Sequence, residues 1–232
     1  MKRSPYFLSL PALTLTLLLL SACNKERILS ESDAYRLIEN AVVANTEGMA
    51  SQTTDIADLA LAFLNNCNTT GDSAITRSGS SGQITYDYTF DWDWSVLCNA
   101  ASVPQVFSAS WSSDGTYTTA RFESSDNSAG GYTVTGLQPS STNLSFNGSF
   151  ERQGSQFFVS GSNSRAIRST IVMSTTNLLV SKNTQLIVDG DCDVSISGDY
   201  DGTPFSFSGT LQFLGGEAAT LTLDSLSYNI TW

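Results

Sequence analysis

The sequence predicts a mainly β protein: about ten antiparallel strands in a meander curled into a barrel or half-barrel, with one or two N-terminal helices packed on it. Three observations carry this. Apolar residues recur at helical spacing only between Ser30 and about Asn65. Beyond Gln83 they alternate at period two with Ser, Thr and Asp. Pairs such as Asp-Gly then punctuate the alternating region at intervals that suit hairpins. So many consecutive antiparallel strands either curl or split into two packed sheets, which leaves a β-sandwich as the alternative.

In chain order, Met1, Lys2 and Arg3 supply a basic head. The apolar run through "LPALTLTLLLL" to Leu20 is too short, and too interrupted by Pro11, to span a bilayer comfortably. Residues 1–22 therefore read as a secretory signal. The stretch "LSAC", Leu20 to Cys23, resembles the lipobox of bacterial lipoproteins. That resemblance implies that Cys23 is acylated and becomes the first residue after cleavage, with 23–29 a short tether. Each buried methylene adds roughly 0.8 kcal/mol, so acyl chains hold the protein on a membrane without a spanning helix.

The segment 30–66 reads as a helical lead. "SESDAYRLIENAVVA" opens with a Ser-x-x-Asp cap at Ser30 and Asp33 and sets Tyr35, Ile38, Ala41 and Val42 on one stripe. A second helix is expected from about Thr54, with Ile56, Leu59, Ala60 and Phe63 as its stripe; "NTEGMASQ" between them leaves open whether the two fuse. The polar, Gly-marked stretch 67–82 reads as a linker.

Residues 83–232 form the expected antiparallel β domain. It opens with "ITYDYTFDWDWSVLC", in which Tyr86, Tyr88, Phe90, Trp92 and Trp94 are even-numbered, and Asp87, Asp91 and Asp93 are odd. Period two puts the two sets on opposite faces, so acids and rings do not jointly cradle one ligand. The five rings are the candidate aromatic binding face. The bland expectation is rings toward a core and carboxylates toward water.

Turn chemistry then sets registers. Asp201-Gly202 as a two-residue loop pairs Gly198 with Phe205, Ile196 with Phe207, Val194 with Gly209 and Cys192 with Leu211. Asp114-Gly115 read the same way pairs Trp111 with Thr118, Ala109 with Ala120 and Phe107 with Phe122. Gln153-Gly154 pairs Phe150 with Phe157, Gly148 with Val159 and Phe146 with Gly161. Residues 144–161 resemble 194–209, as duplicated hairpins would. Further strands are expected at 103–113, 132–137, 167–174, 177–181 and in the final run to Trp232.

Composition excludes several classes. The chain carries a formal net charge of −11, and without Lys2 and Arg3 nine basic residues face 22 acidic ones. Nucleic-acid binding rests on phosphate neutralisation by Lys and Arg, so it is disfavoured. There is no His in the sequence, which removes Ser-His-Asp and Cys-His catalysis and the commonest metal ligand. Asp189, Asp191 and Asp193 do not make a calcium loop, because its sixth and twelfth positions would be Val194 and Tyr200. No catalytic residue, metal or cofactor is expected. In an oxidising compartment Cys67 and Cys98, each beside an Asn at the end of an element, are the expected disulfide. Cys192, mid-strand, is then a small buried hydrophobe.

Signal, lipobox, helical lead and a long Ser/Thr/Gly/aromatic β region together resemble the β-rich lipoproteins of Bacteroidota. The resemblance implies a cell-envelope protein, lipid-anchored at the outer membrane, on its periplasmic or its surface face. The first functional expectation is a non-catalytic binding or carrier module for a hydrophobic ligand or an envelope protein, by resemblance to half-barrels that shuttle lipids. A structural or adhesive surface lipoprotein that binds glycan or protein is the alternative, and a carboxylate-dependent hydrolase comes third. A ring-lined cavity of several hundred cubic ångströms would favour carriage; a ring face filled by the helices would count against it.

Overall fold

In the computed structural model, residues 29–120, 122–160, 163–224 and 226–232 are described. The expected signal, the stretch 20–23 that resembles a lipobox, and Cys23 lie outside them. Two helices come first, α1 (Glu31–Val42) and α2 (Met49–Ala62). Ten strands follow: β1 (Thr70–Ser81), β2 (Ile84–Cys98), β3 (Pro104–Thr118), β4 (Phe122–Thr135), β5 (Asn143–Ser160), β6 (Asn163–Ser181), β7 (Ile187–Tyr200), β8 (Thr203–Phe213), β9 (Ala218–Leu223) and β10 (Leu226–Thr231). Each pairs antiparallel with the next, so one sheet runs from β1 to β10 in chain order and stays open at those two edges. No helix among the described residues is long and apolar enough to cross a membrane.

The Ser30 side chain accepts the Asp33 backbone N–H at 3.1 Å and starts α1 where the capping pattern puts it. The buried stripe is Ala34, Leu37, Ile38, Ala41 and Val42. Tyr35 stands at its margin, where its ring stacks on Tyr228 of β10 at 4.5 Å and its hydroxyl reaches the Asn229 carbonyl at 3.1 Å. The helices do not fuse, because Glu47 takes a left-handed conformation at φ 53° and turns the chain. α2 begins at Met49, five residues ahead of the expected Thr54, and buries Gln52 and Thr53 along with Ile56, Ala57 and Ala60.

Four expectations need correction. The stretch 67–82 is not a linker: most of it is β1, whose Asp72, Arg77 and Gly79 pair with Asp93, Tyr88 and Tyr86. Asp114-Gly115 is not a turn either. β3 runs straight through it, with Asp114 opposite Asn127, Gly115 opposite Asp126, and Phe107 opposite Val134 rather than Phe122. Likewise β5 runs through Gln153-Gly154, which pair with Asn127 and Asp126, so residues 144–161 and 194–209 are not duplicated hairpins. The two glycines mark close approaches instead. A Cβ on Gly115 would sit 2.2 Å from the Tyr88 ring, and one on Gly154 would sit 2.5 Å from Asp126 Cβ. The segments expected at 167–174 and 177–181 are one strand, β6, with an irregularity between Thr175 and Leu179.

Asp201-Gly202 is a turn, at φ 50° and 87°. It fixes the β7–β8 register with Gly198 opposite Phe205, Ile196 opposite Phe207, Val194 opposite Gly209 and Cys192 opposite Leu211. The inner face of the sheet and the two helices share one core. Strands far apart in the sheet touch the same helices: β10 through Tyr35, β1 through Arg77 to Asp55, and β5 through Arg152 to Asn40 and Thr46. The sheet therefore bends around the helical pair.

Candidate functional site

The inner face has two halves of different chemistry. In the first, Tyr88, Phe90 and Trp92 are buried while Asp87, Asp91 and Asp93 are exposed, as alternation requires. Tyr86 and Trp94 are half-buried. Ring contacts continue from β2 to β5: Trp92 stacks on Trp111 at 5.5 Å, Trp111 on Tyr132 at 5.6 Å, and Tyr132 meets Phe146 edge-on at 5.5 Å. The helical pair closes over them, with Phe63 stacked on Trp94 at 3.9 Å. The helices occupy the space that a standing ligand cavity would need. The contacts remain chemically incomplete, because the indole N–H groups of Trp92 and Trp111 and the Gln52 side-chain oxygen are buried without a hydrogen-bond partner among the described residues.

The second half is a buried polar cluster, in a place where the sequence pattern reads as bare turns. Arg152 and Asp126 form an ion pair at 2.8 Å with side chains 4 % and 0 % exposed. Tyr88 donates its hydroxyl proton to Asp126 at 3.0 Å and accepts from Arg152. Ser124 donates to Asp126 at 2.7 Å, Ser169 to Gln156 at 3.0 Å, and Ser113 and Ser128 share a bond of 2.7 Å. The guanidinium lies over the rings of Tyr88 and Tyr117 at 5.4 and 5.2 Å. Its outer nitrogens donate to the carbonyls of Asn40 and Thr46, both at 2.8 Å. Those carbonyls lie at the ends of α1 and of the short turn after it, where a cation is favoured. Every charge here is paired, so the cluster fastens helix to sheet and presents no free nucleophile or base.

A second arginine fastens the other side. Arg77 of β1 donates to both Asp55 oxygens at 2.7 and 2.9 Å and to Glu47 at 3.1 Å, with its guanidinium over Phe90. Burial raises the Asp55 carboxyl above its ordinary value and outweighs the opposite pull of Arg77. Hydrogen bonding to Asp55 raises Arg77, so it stays charged throughout the working range.

Cys67 and Cys98 are joined by a disulfide with Cα atoms 5.4 Å apart, and Cys192 is a buried free thiol. Burial pushes that thiol up to about 12 and the Tyr117 hydroxyl up to about 12. Asp189, Asp191 and Asp193 lie exposed on β7, the last two opposite Gln212 and Thr210. Among the described residues no group of three or more metal-binding side chains converges.

The outer face of the sheet is polar. It carries shallow grooves of about 660 and 680 Å³, lined by Asp72, Asp93, Ser108, Ser110, Thr133 and Asn147 in one and by Asp193, Ser195, Ser208 and Thr210 in the other. Phe157 is the large ring it exposes among the described residues. Compared with protein families, with curated proteins and with solved structures, the chain matches none.

Proposed function

We propose that this chain is a lipid-anchored, non-catalytic binding module of a bacterial cell envelope, and that its binding surface is the aromatic inner face. The observation that carries the reading is the contrast between the two sides of the sheet. Inside, rings from β2 to β5 form one floor with two unpaired indole N–H donors. Outside, among the described residues, Ser, Thr and Asp predominate, and no stack of large rings concentrates binding energy there. The helices fill the inner face, which argues against carriage in a permanently open cavity; a ligand reaches the rings only by displacing them. The anchor rests on the lipobox resemblance at Cys23. A surface module that meets a polar glycan or protein through the outer grooves is the second reading, favoured by their size.

Two measurements test the proposal. Cys23→Ala moves the protein from the membrane fraction to the soluble one without changing its circular dichroism; wild-type recovery in the membrane pellet would remove the anchor. Titration with fatty acids and with oligosaccharides separates the binding readings: fatty acids alone bind on the inner-face reading, and oligosaccharides alone on the outer-face one.

A further inference from the structure

We propose that the floor of Trp92, Trp111 and Tyr132 is a site for a single-chain amphiphile, closed in this structure by α1 and α2 acting together as a hinged lid. The proposal deepens, and rests on, the inner-face reading above. The lid is chemically a poor match to what it covers. α2 buries two polar side chains, Gln52 and Thr53, among Met49, Ala50, Ile56, Ala57 and Ala60, and the Gln52 side-chain oxygen has no hydrogen-bond partner among the described residues. Trp92 and Trp111, 2 % and 4 % exposed, keep their N–H groups without an acceptor among the described residues. Buried donors left unpaired are a standing cost, which a ligand with an acceptor oxygen above an apolar chain would relieve.

The attachment of the lid is equally asymmetric. Besides the apolar core they share with the sheet, its helices are fastened at their margins by polar latches, Arg77 to Asp55 and Glu47 and Arg152 to two backbone carbonyls, all groups that water can satisfy once the latch opens. The C-terminal end of α2 is pinned covalently, because Cys67, five residues beyond Ala62, is bonded to Cys98 at the end of β2. That disulfide is the fixed side of the hinge. The strands pair only with one another, so the sheet keeps its hydrogen bonds when the helices move.

The position of the anchor names the occupant. Cys23 precedes Ser30 by seven residues, which span at most about 25 Å at roughly 3.3 to 3.6 Å per residue. Acylation at Cys23 would hold the free end of the lid within that distance of a lipid leaflet. A fatty acid or lysolipid supplies both the chain for the rings and the acceptor for the indoles.

Dibromostearate quenches tryptophan that it touches, so titrating it into the full-length protein reads the site directly. The wild type shows saturable quenching. Arg77→Met opens the latch and lowers the apparent Kd by about fivefold, because apparent affinity scales with the open fraction. Arg77→Lys, which keeps the charge, falls between. Saturable quenching with one Kd in all three proteins would overturn the lid and leave the binding-module reading in place. No saturable quenching in any of them would overturn that reading too. Should Arg77→Met lose its β circular dichroism, Asp55→Asn with Glu47→Gln opens the same latch from the other side and carries the same expectation.

Discussion

Trp92 and Asp91 are neighbours in the chain with opposite fates, one 2 % exposed beneath the helices and the other in water. Trp92→Ala should destabilise by roughly 3 to 5 kcal/mol, as loss of a large core ring does. Asp91→Asn should change stability by less than about 0.5 kcal/mol. Urea melts of the two variants check this, and a cheap Trp92 with a costly Asp91 would reverse the faces. This much was legible in the sequence, since parity alone sorts the rings from the acids. The polar cluster was not. Arg152, Asp126, Ser124 and Gln156 occupy inward positions that a binary pattern reserves for apolar residues, so each reads as a sign of turn or surface until its partners are known. Their partners come from five different strands, β2 to β6, and two helix ends, and no local spacing encodes that convergence.

Asp-Gly occurs in this chain with two meanings. At Asp201-Gly202 the backbone takes positive φ and the strands fold back; at Asp114-Gly115 the same pair lies mid-strand, and the glycine makes room for Tyr88. A β-branched residue separates the cases. Asp201→Val should cost about 1 to 2 kcal/mol, because a side chain branched at Cβ fits the left-handed region poorly. Asp114→Val, outward on an extended strand, should be neutral or slightly stabilising, in line with strand preference. Equal losses in thermal melts of both variants would restore the turn at 114. The misreading has a physical origin in length. β3, β5 and β6 run 15, 18 and 19 residues, several times the usual strand of about 5 to 6, so glycines inside them coincide with the spacing at which hairpins normally turn. β1 is hard to read from sequence for a related reason: an edge strand rich in Ser and Gly lacks the apolar alternation that marks its neighbours.

The protein as a whole is one sheet bent around two helices, with one thiol and several tyrosines held neutral in the core beside the buried Arg152–Asp126 ion pair. Burial raises Cys192 and Tyr117 to about 12 and pushes Tyr88 and Tyr132 further up, from ordinary values of 9.0 for the thiol and 10.0 for the phenols. In the unfolded chain these groups ionise near their ordinary values, so between those values and the folded ones the unfolded state binds fewer protons. Stability then falls with rising pH, by about 1.4 kcal/mol per pH unit for each group. The urea midpoint should start to drop above about pH 9 through Cys192 and drop more steeply above about pH 10 through the tyrosines. Cys192→Ala should remove the first part of the fall and keep the second. In the lid proposal the aromatic floor is covered by helices that open while the sheet stays intact. Native-state hydrogen exchange, followed amide by amide in increasing denaturant, tests it most directly. Ile56, Ala57 and Ala60 of α2 should exchange through an opening of lower free energy and smaller denaturant dependence than Tyr132, Phe146 and Met173 in the sheet. Exchange of both sets at one free energy and one denaturant dependence, that of global unfolding, would contradict it.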